Sequence, residues 1–139
     1  MSSLLGAKEL WRASAPPKVK LFFWLALHGR IWTAERRMRH GLQDSAECAL
    51  CGQEDETIDH LIVSCVFARE LWYCFLRPIG WERITPQPGA VISAWCMDAR
   101  CLAPRPMRKR FDAAVLHLSW CLWKERTSRV FDNAHSSVF

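Results

Sequence analysis

The stretch that decides the reading is Cys48-Ala49-Leu50-Cys51-Gly52-Gln53-Glu54-Asp55-Glu56-Thr57-Ile58-Asp59-His60-Leu61-Ile62-Val63-Ser64-Cys65. Two cysteines separated by two residues reach one ion from a tight turn, and Gly52 relieves the backbone just after Cys51. His60 and Cys65 supply a second pair from the start of a helix, about one turn plus one residue apart. Three thiolates and one imidazole close a tetrahedron that suits Zn(2+) and leaves no position open for water or substrate. Three thiolates around a divalent ion carry a net charge of about −1, and Glu54, Asp55, Glu56 and Asp59 add negative charge nearby. That charge favours metal capture and makes the loop a poor phosphate surface. Two other readings of the same residues stand beside zinc: a buried pair of thiols with a capping histidine, and a redox-active Cys-x2-Cys. The redox reading lacks the α/β context in which such a motif opens a helix.

Outward from this loop the pattern is helical. Residues 9–28 read as a helix preceded or interrupted by a turn at Pro16-Pro17, with Val19, Phe22, Phe23 and Ala26 at helical spacing. Leu21, Trp24 and Leu25 widen that apolar surface, so cover on most sides is expected. Thr33 caps a short helix over 34–40 that Gly41 ends. A helix from about Ile58 to Leu76 follows the metal loop, with Leu61, Cys65, Ala68, Trp72 and Phe75 inward and Pro78 as a stop. A short helix is expected over 90–101, between Pro86-Gln87-Pro88-Gly89 and Pro104. The longest helical pattern covers 107–130, with Phe111, Val115, Leu118 and Leu122 on one face and Lys124, Arg126 and Arg129 on the other. A frayed tail from Asp132 is expected. Strand patterns are weak, the best being a local pairing near 47–51. The fold class is therefore mainly α: a small zinc-stabilised helical domain with a Cys3His loop and a short local hairpin.

The 139 residues suffice for one domain with a modest core, and eight Trp and seven Phe argue against disorder. No apolar run approaches the roughly 18–20 residues that span a bilayer, and Met1–Ala7 lacks the features of a secretory signal, so an intracellular chain without membrane association is expected, nucleus and cytoplasm being undistinguished. Of the seven cysteines, Cys74, Cys96, Cys101 and Cys121 read as buried free thiols. His28 reads as a helix-end group, His40 as part of a basic surface, His117 as a packing residue, and His135 has no evident partner.

Nineteen Lys and Arg against fourteen Asp and Glu leave a formal charge of +5, unevenly placed. Lys18, Lys20, Arg30, Arg36, Arg37 and Arg39 form one basic group, and Arg105, Arg108, Lys109 and Arg110 a second. Both are candidate phosphate contacts for RNA or DNA, the plainer reading being solvated helix faces. Trp24 and Trp32 are candidate stacking groups, although core packing is the commoner role of such residues.

A further set of residues carries a family resemblance. Trp11, Pro16-Pro17-Lys18-Val19-Lys20, Phe22-x-Trp24, Gly29-Arg30-Ile31 with Thr33, Cys48-x2-Cys51-Gly52, Glu56-Thr57-Ile58-Asp59-His60, and Cys65 with Ala68-Arg69-x2-Trp72 together resemble the zinc-binding domain that follows the reverse transcriptase of plant non-LTR retrotransposons. Trp123-Lys124-Glu125-Arg126 and Arg129-Val130-Phe131 look like that family's C-terminal continuation, Thr127 standing where asparagine is common. The resemblance implies metal roles for Cys48, Cys51, His60 and Cys65. It implies a module that accompanies a retroelement polymerase, with RNA, DNA, the reverse transcriptase or another protein as partner. The implied organisation is a zinc-binding domain over 9–80, a Pro-containing linker with a short helix over 81–106, and a C-terminal helix over 107–131.

No catalytic activity is expected. The polymerase Tyr-x-Asp-Asp run is absent, as are the His-x-Glu and Pro-Cys-x2-Cys of zinc deaminases. The rival to a nucleic-acid module is a docking module, or a retroelement remnant that binds no nucleic acid.

Overall fold

Pro17 sits at the first position of helix α1 (Pro17–Leu27), where its missing N–H costs nothing. The computed structural model describes the backbone of residues 11–136 and the side chains of 11–131, so the expected start of the first helix and of the domain at residue 9, and the side chain of His135, lie outside the described residues. Helix α1 buries Val19, Phe22, Phe23 and Ala26. Cover on most sides is not found: Leu21 is 51% exposed and Trp24 37%, because α1 lies at the edge of the bundle with one face inward. Gly29, at φ +66°, ends the helix. His28 Nδ1 lies 2.8 Å from the Trp24 carbonyl, the helix-end role expected of it.

Helix α2 (Ala34–Arg39) begins at Thr33, whose Oγ1 accepts from the Arg36 N–H at 3.3 Å. The metal loop follows, with no strand among the described residues and one isolated antiparallel bridge between Glu47 and Asp55. The helix expected over 58–76 is broken. A π-helical segment, His60–Ser64, runs to Cys65, whose ψ of 140° leaves the helical region, and α3 (Val66–Leu76) starts afresh. Ala68, Trp72 and Leu76 face inward from α3, whereas Phe75 is exposed.

Short 3-10 turns at Arg77–Ile79 and Glu82–Ile84 lead to α4 (Ile92–Leu102), and a third at Arg105–Met107 leads into α5 (Arg108–Ser136). Helix α5 has 29 residues and continues through the tail expected to fray. It is the element against which the rest assembles. Phe22 of α1 meets Trp120 edge-on (5.5 Å) and stacks on Trp123 (5.8 Å). On the other side Trp72, Trp95 and Phe111 form an aromatic row from α3 through α4 to α5, at 4.8 and 5.9 Å. Phe111, Val115, Leu116 and Leu122 of α5 are buried with Leu61, Ile62, Val63 and Trp72 in one core. At about 1.5–3 kcal/mol for each fully buried large apolar side chain, this shared surface holds the C-terminal helices to the metal half.

Several single-residue expectations are corrected. Cys74, Cys101 and Cys121 are exposed, because each lies at a helix position turned from the core, whereas Cys96 is partly buried and packs against the core. Burial and the charge of Asp112 push the Cys96 thiol up. His117 is exposed and reaches the Ser14 carbonyl at 3.3 Å, a link between α5 and the turn before α1. No described helix is long and apolar enough to cross a membrane.

Candidate metal centre

The four residues come from three pieces of local structure. Cys48 and Cys51 flank a turn closed by the Gly52 N–H to the Cys48 carbonyl (2.9 Å), with Gly52 at φ +63°. The turn is anchored by the Cys48 N–H to Glu54 O (2.8 Å) and the Glu56 N–H to Ala46 O (2.7 Å). The N–H groups of Leu50 and Gln53 point at the sulfurs of Cys48 and Cys51, at 3.4 and 3.5 Å. Such N–H···S contacts favour thiolate over thiol.

His60 opens the π-helical segment, where its N–H donates to Thr57 Oγ1 at 3.0 Å, so Thr57 caps this turn. The π geometry matters for Cys65. In an α-helix, residues five apart lie about 140° from each other around the axis and do not face one ion. The wider π turn joins the Cys65 N–H to the His60 carbonyl (2.6 Å), and the break at Cys65 completes the swing of its sulfur toward the loop. Two carbonyls of this segment are taken by motif side chains: Trp72 Nε1 donates to Ile62 O (2.8 Å) and Arg69 Nε to Ser64 O (2.9 Å).

The ligand atoms of Cys48, Cys51, His60 and Cys65 all lie within 4.8 Å of one another. Cys48 and Cys65 sulfurs are 4.0 Å apart, and Cys51 Sγ is 3.3 Å from His60 Nε2. Metal–sulfur bonds of about 2.3 Å in a tetrahedron set two sulfurs about 3.8 Å apart, so this donor set fits a closed four-coordinate ion. The protonation pattern agrees. The bond to Cys65, then burial, push the Cys48 thiol up to about 12. Cys65 is lowered, first by that same bond and further by the Phe67 and Ala68 amides at the start of α3. His60 is raised to about 9, chiefly by Cys48 and Cys51 against burial. The cluster thus holds protons in the space where a divalent cation would replace them.

The acidic residues beside the loop divide into two kinds. Glu54 and Asp55 are exposed, as a solvated acidic run should be. Glu56 is fully buried. Its carboxylate accepts from the Ala34 N–H that opens α2 (2.8 Å), from the Ala49 N–H in the cysteine turn (3.3 Å), and from Arg126 Nε and Nη2 of α5 (3.0 and 2.8 Å). Arg126, assigned by its spacing to the face opposite Phe111 and Leu122, is only 8% exposed and lies over the Trp123 ring at 4.8 Å. Asp59 is likewise engaged: its Oδ1 accepts from the Ile92 N–H that opens α4 (2.9 Å), while Ser64 Oγ accepts from Gly89 (2.8 Å). The Glu-Thr-Ile-Asp-His run therefore ties α2, the cysteine turn, α4 and α5 to the histidine. Sequence reasoning missed these roles, and the one available signal was the pairing of that motif with the C-terminal Trp-Lys-Glu-Arg run.

The two basic groups are placed differently. Around α2, Arg36 lies over the Trp32 ring (4.1 Å), which His40 also meets edge-on (5.2 Å); Arg37 bonds Gln43 (3.0 Å) and Arg39 pairs with Glu35. Lys20 donates to the Trp11 carbonyl (2.6 Å), Lys18 sits 5.9 Å from the Trp120 ring, and Arg30 is exposed. Trp24 and Trp32 are surface residues and not core, Trp24 lying against His28 at 3.9 Å. In the second group, Arg105, Lys109 and Arg110 are exposed, while Arg108 donates to the carbonyls of Arg100 and Ala103 at the end of α4 (3.0 and 3.3 Å).

Comparison with known proteins gives a family and a relative. The family described as zinc-binding in reverse transcriptase matches residues 3–72, half of the chain. An Arabidopsis thaliana protein described as a ribonuclease H protein is 32% identical over 63 residues, which cover 45% of this chain and 10% of that protein. The matched region thus spans about a tenth of that relative. No solved structure matches significantly.

Proposed function

This chain belongs to the family of zinc-binding domains in reverse transcriptase, and from that premise we propose that it is a non-catalytic structural module whose metal is zinc, held by Cys48, Cys51, His60 and Cys65. The observation that carries the reading is the convergence of these four donors, all within 4.8 Å, at the junction of the loop with the π segment and α3. Bound there, zinc supplies a closed tetrahedral cross-link and no exchangeable position for a reacting group. The protein's own residues do the rest. The amides of Leu50 and Gln53 steady the sulfurs of the turn, and the start of α3 favours the Cys65 thiolate. Glu56 then passes the fixed position of the turn to α2 and α5.

The basic residues outside this clamp, Lys18, Lys20, Arg30, Arg36, Arg37 and Arg39 with Arg105, Arg108, Lys109 and Arg110, support a further part of the proposal: the module assists the handling of RNA or DNA. The charge of +5 favours an anionic partner. Phosphate contacts of this kind depend steeply on salt.

Native mass spectrometry is expected to find one zinc per chain, lost on chelation together with helical signal. Tight retention of zinc by the Cys48→Ser, Cys51→Ser double variant would refute the ligand assignment. Titration of the zinc-loaded chain against fluorescent single-stranded RNA and duplex DNA is expected to show binding that weakens with salt. No binding to either at low salt would replace the nucleic-acid reading with docking to a protein.

A further inference from the structure

A cavity of about 470 Å³ opens where α4 ends and α5 begins, lined by Arg12, Arg100, Arg105, Pro106, Arg108, Lys109 and Asp112. Five of these seven residues are cationic, and Asp112 is the one carboxylate among the described residues that line it. Nothing in the resemblance or the comparisons assigns this place a role. Its cations come from three separate stretches of chain: Arg12 from before α1, Arg100 from α4, and the others from the 3-10 turn and first turn of α5.

Two of the cations are held by the fold. Asp112, 3% exposed, takes the Arg100 guanidinium in a two-point pair at 2.8 and 3.2 Å. Arg108 is fixed by its bonds to the carbonyls that end α4. Arg12, Arg105 and Lys109 are exposed around them. Like charges gathered in one concavity repel, and the low-dielectric walls of a cleft strengthen that field. Asp112 offsets only part of it. The N-terminal end of the 29-residue α5 adds its own partial positive charge. An anion entering the cavity relieves all of these at once.

We propose that this cavity is a phosphate-binding site for a single-stranded nucleic acid, the place where the chain grips the strand. The inference rests on the nucleic-acid reading above and deepens it by choosing between the two basic groups. Around α2, Arg36 lies over Trp32, Arg37 bonds Gln43 and Arg39 pairs with Glu35, along a helix of only six residues. At the α4–α5 junction the cations face a shared concavity. The volume falls in the range of ordinary ligand sites, about 300–1,000 Å³, and exceeds what one phosphate needs. A flexible strand can bend a phosphate with its sugar into such a site, whereas a stiff duplex presents its phosphates on a convex rod. Arg guanidinium groups suit the phosphate oxygens through paired N–H donors.

The test compares two double variants of equal charge change in the full, zinc-loaded chain: Arg105→Glu with Lys109→Glu, and Arg36→Glu with Arg39→Glu. Helical signal and zinc content are first checked to equal those of the unaltered chain, with Arg105→Gln and Lys109→Gln as the milder pair should the reversal disturb the fold. Against a 12-nucleotide single-stranded RNA, the 105/109 variant is expected to lose about tenfold or more in affinity and about two units of salt slope. The 36/39 variant should lose clearly less. Equal losses in the two variants, or no loss at 105/109, overturn the cavity while leaving nucleic-acid binding standing. Absence of RNA binding by the unaltered chain overturns both. Duplex DNA bound as tightly as RNA and weakened equally overturns the choice of a single strand, and displacement of RNA by inorganic tripolyphosphate at matched phosphate concentration reassigns the site to free polyphosphate.

Discussion

Two cross-links hold the centre of this molecule, and they differ in reach. The four metal-type donors join residues up to 17 apart, Cys48 to Cys65, whereas the Glu56–Arg126 pair joins residues 70 apart. Glu56 lies between Cys48 and Cys65, so the second cross-link starts from within the first. The short one organises the cysteine turn and fixes it to the His60–Cys65 segment, whose Leu61, Ile62 and Val63 belong to the core. The long one carries that organisation to α5, where Phe22, Trp120 and Trp123 pack. The difference teaches that the four donors are gathered by local geometry, whereas the buried ion pair ties that local unit to α2 and α5 across the shared core. The family match ends at residue 72 and therefore contains Glu56 but not its partner.

Breaking the short cross-link has the largest expected effect. Structural zinc sites contribute about 10–16 kcal/mol in small peptides, as much as the whole stability of a typical domain, about 5–15 kcal/mol. Acid should break it too, and the sign follows from the protons. In the metal-free fold Cys48 holds its proton up to about 12 and His60 up to about 9, both raised above their ordinary values of 9.0 and 6.5. Those raised values stabilise the metal-free fold at low pH, fully below the ordinary values, and the contribution fades as pH rises through 9 and 12. Metal binding must expel the same protons, so metal affinity moves the opposite way and falls as pH falls. Lowering the pH from 8 to 5 is expected to release the metal, read by a chromogenic chelator, with loss of helical signal. Affinity independent of pH over that range would contradict a thiolate and imidazole donor set.

The long cross-link should cost less and fail differently. Glu56→Gln leaves Arg126 buried without its counter-charge, for an expected loss of about 3–5 kcal/mol. Thermal unfolding with zinc present should show this loss while the metal stoichiometry stays at one per chain. If Glu56→Gln instead abolished zinc binding, the two cross-links would be one unit and the comparison would collapse. Arg126→Met tests the same pair from the other end, where an apolar side chain of similar length lies against Trp123. Its effect should be no larger than that of Glu56→Gln, although it leaves the Glu56 carboxylate to the two amides of Ala34 and Ala49.

This contrast also explains what could be read in advance. The helical class, the Thr33 cap and the donor pairs Cys48–Cys51 and His60–Cys65 each rest on residues within one or two turns of each other, where spacing alone specifies geometry. The broken helix at Cys65 did not announce itself, because the apolar spacing of Leu61, Cys65, Ala68 and Trp72 is equally consistent with an unbroken α-helix. Only the demand that His60 and Cys65 face one point selects the π turn. Glu56 and Arg126 read as surface charge because each sits among charged neighbours and the two lie far apart in the chain. The cavity of Arg12, Arg100 and Arg108 was hidden for the same reason: its walls meet only after α5 has folded back along α1 and α4.

The smallest effect is expected at the third tie from the same motif, Asp59 to the start of α4. Asp59 accepts one backbone N–H, that of Ile92, at a half-buried site. Asp59→Ala removes a cap of the kind worth about 1 kcal/mol. The change adjoins His60, so the decisive readout is where protection is lost. Amide hydrogen exchange should quicken in the first turn of α4, around Ile92 to Trp95, while the amides of α5 near Arg126 keep their protection. Faster exchange spread evenly over α4 and α5 would mean that the C-terminal half responds as one block. The division of labour argued for Glu56 and Asp59 would then be wrong, since each would be acting on the whole surface that buries Trp72, Trp95 and Phe111.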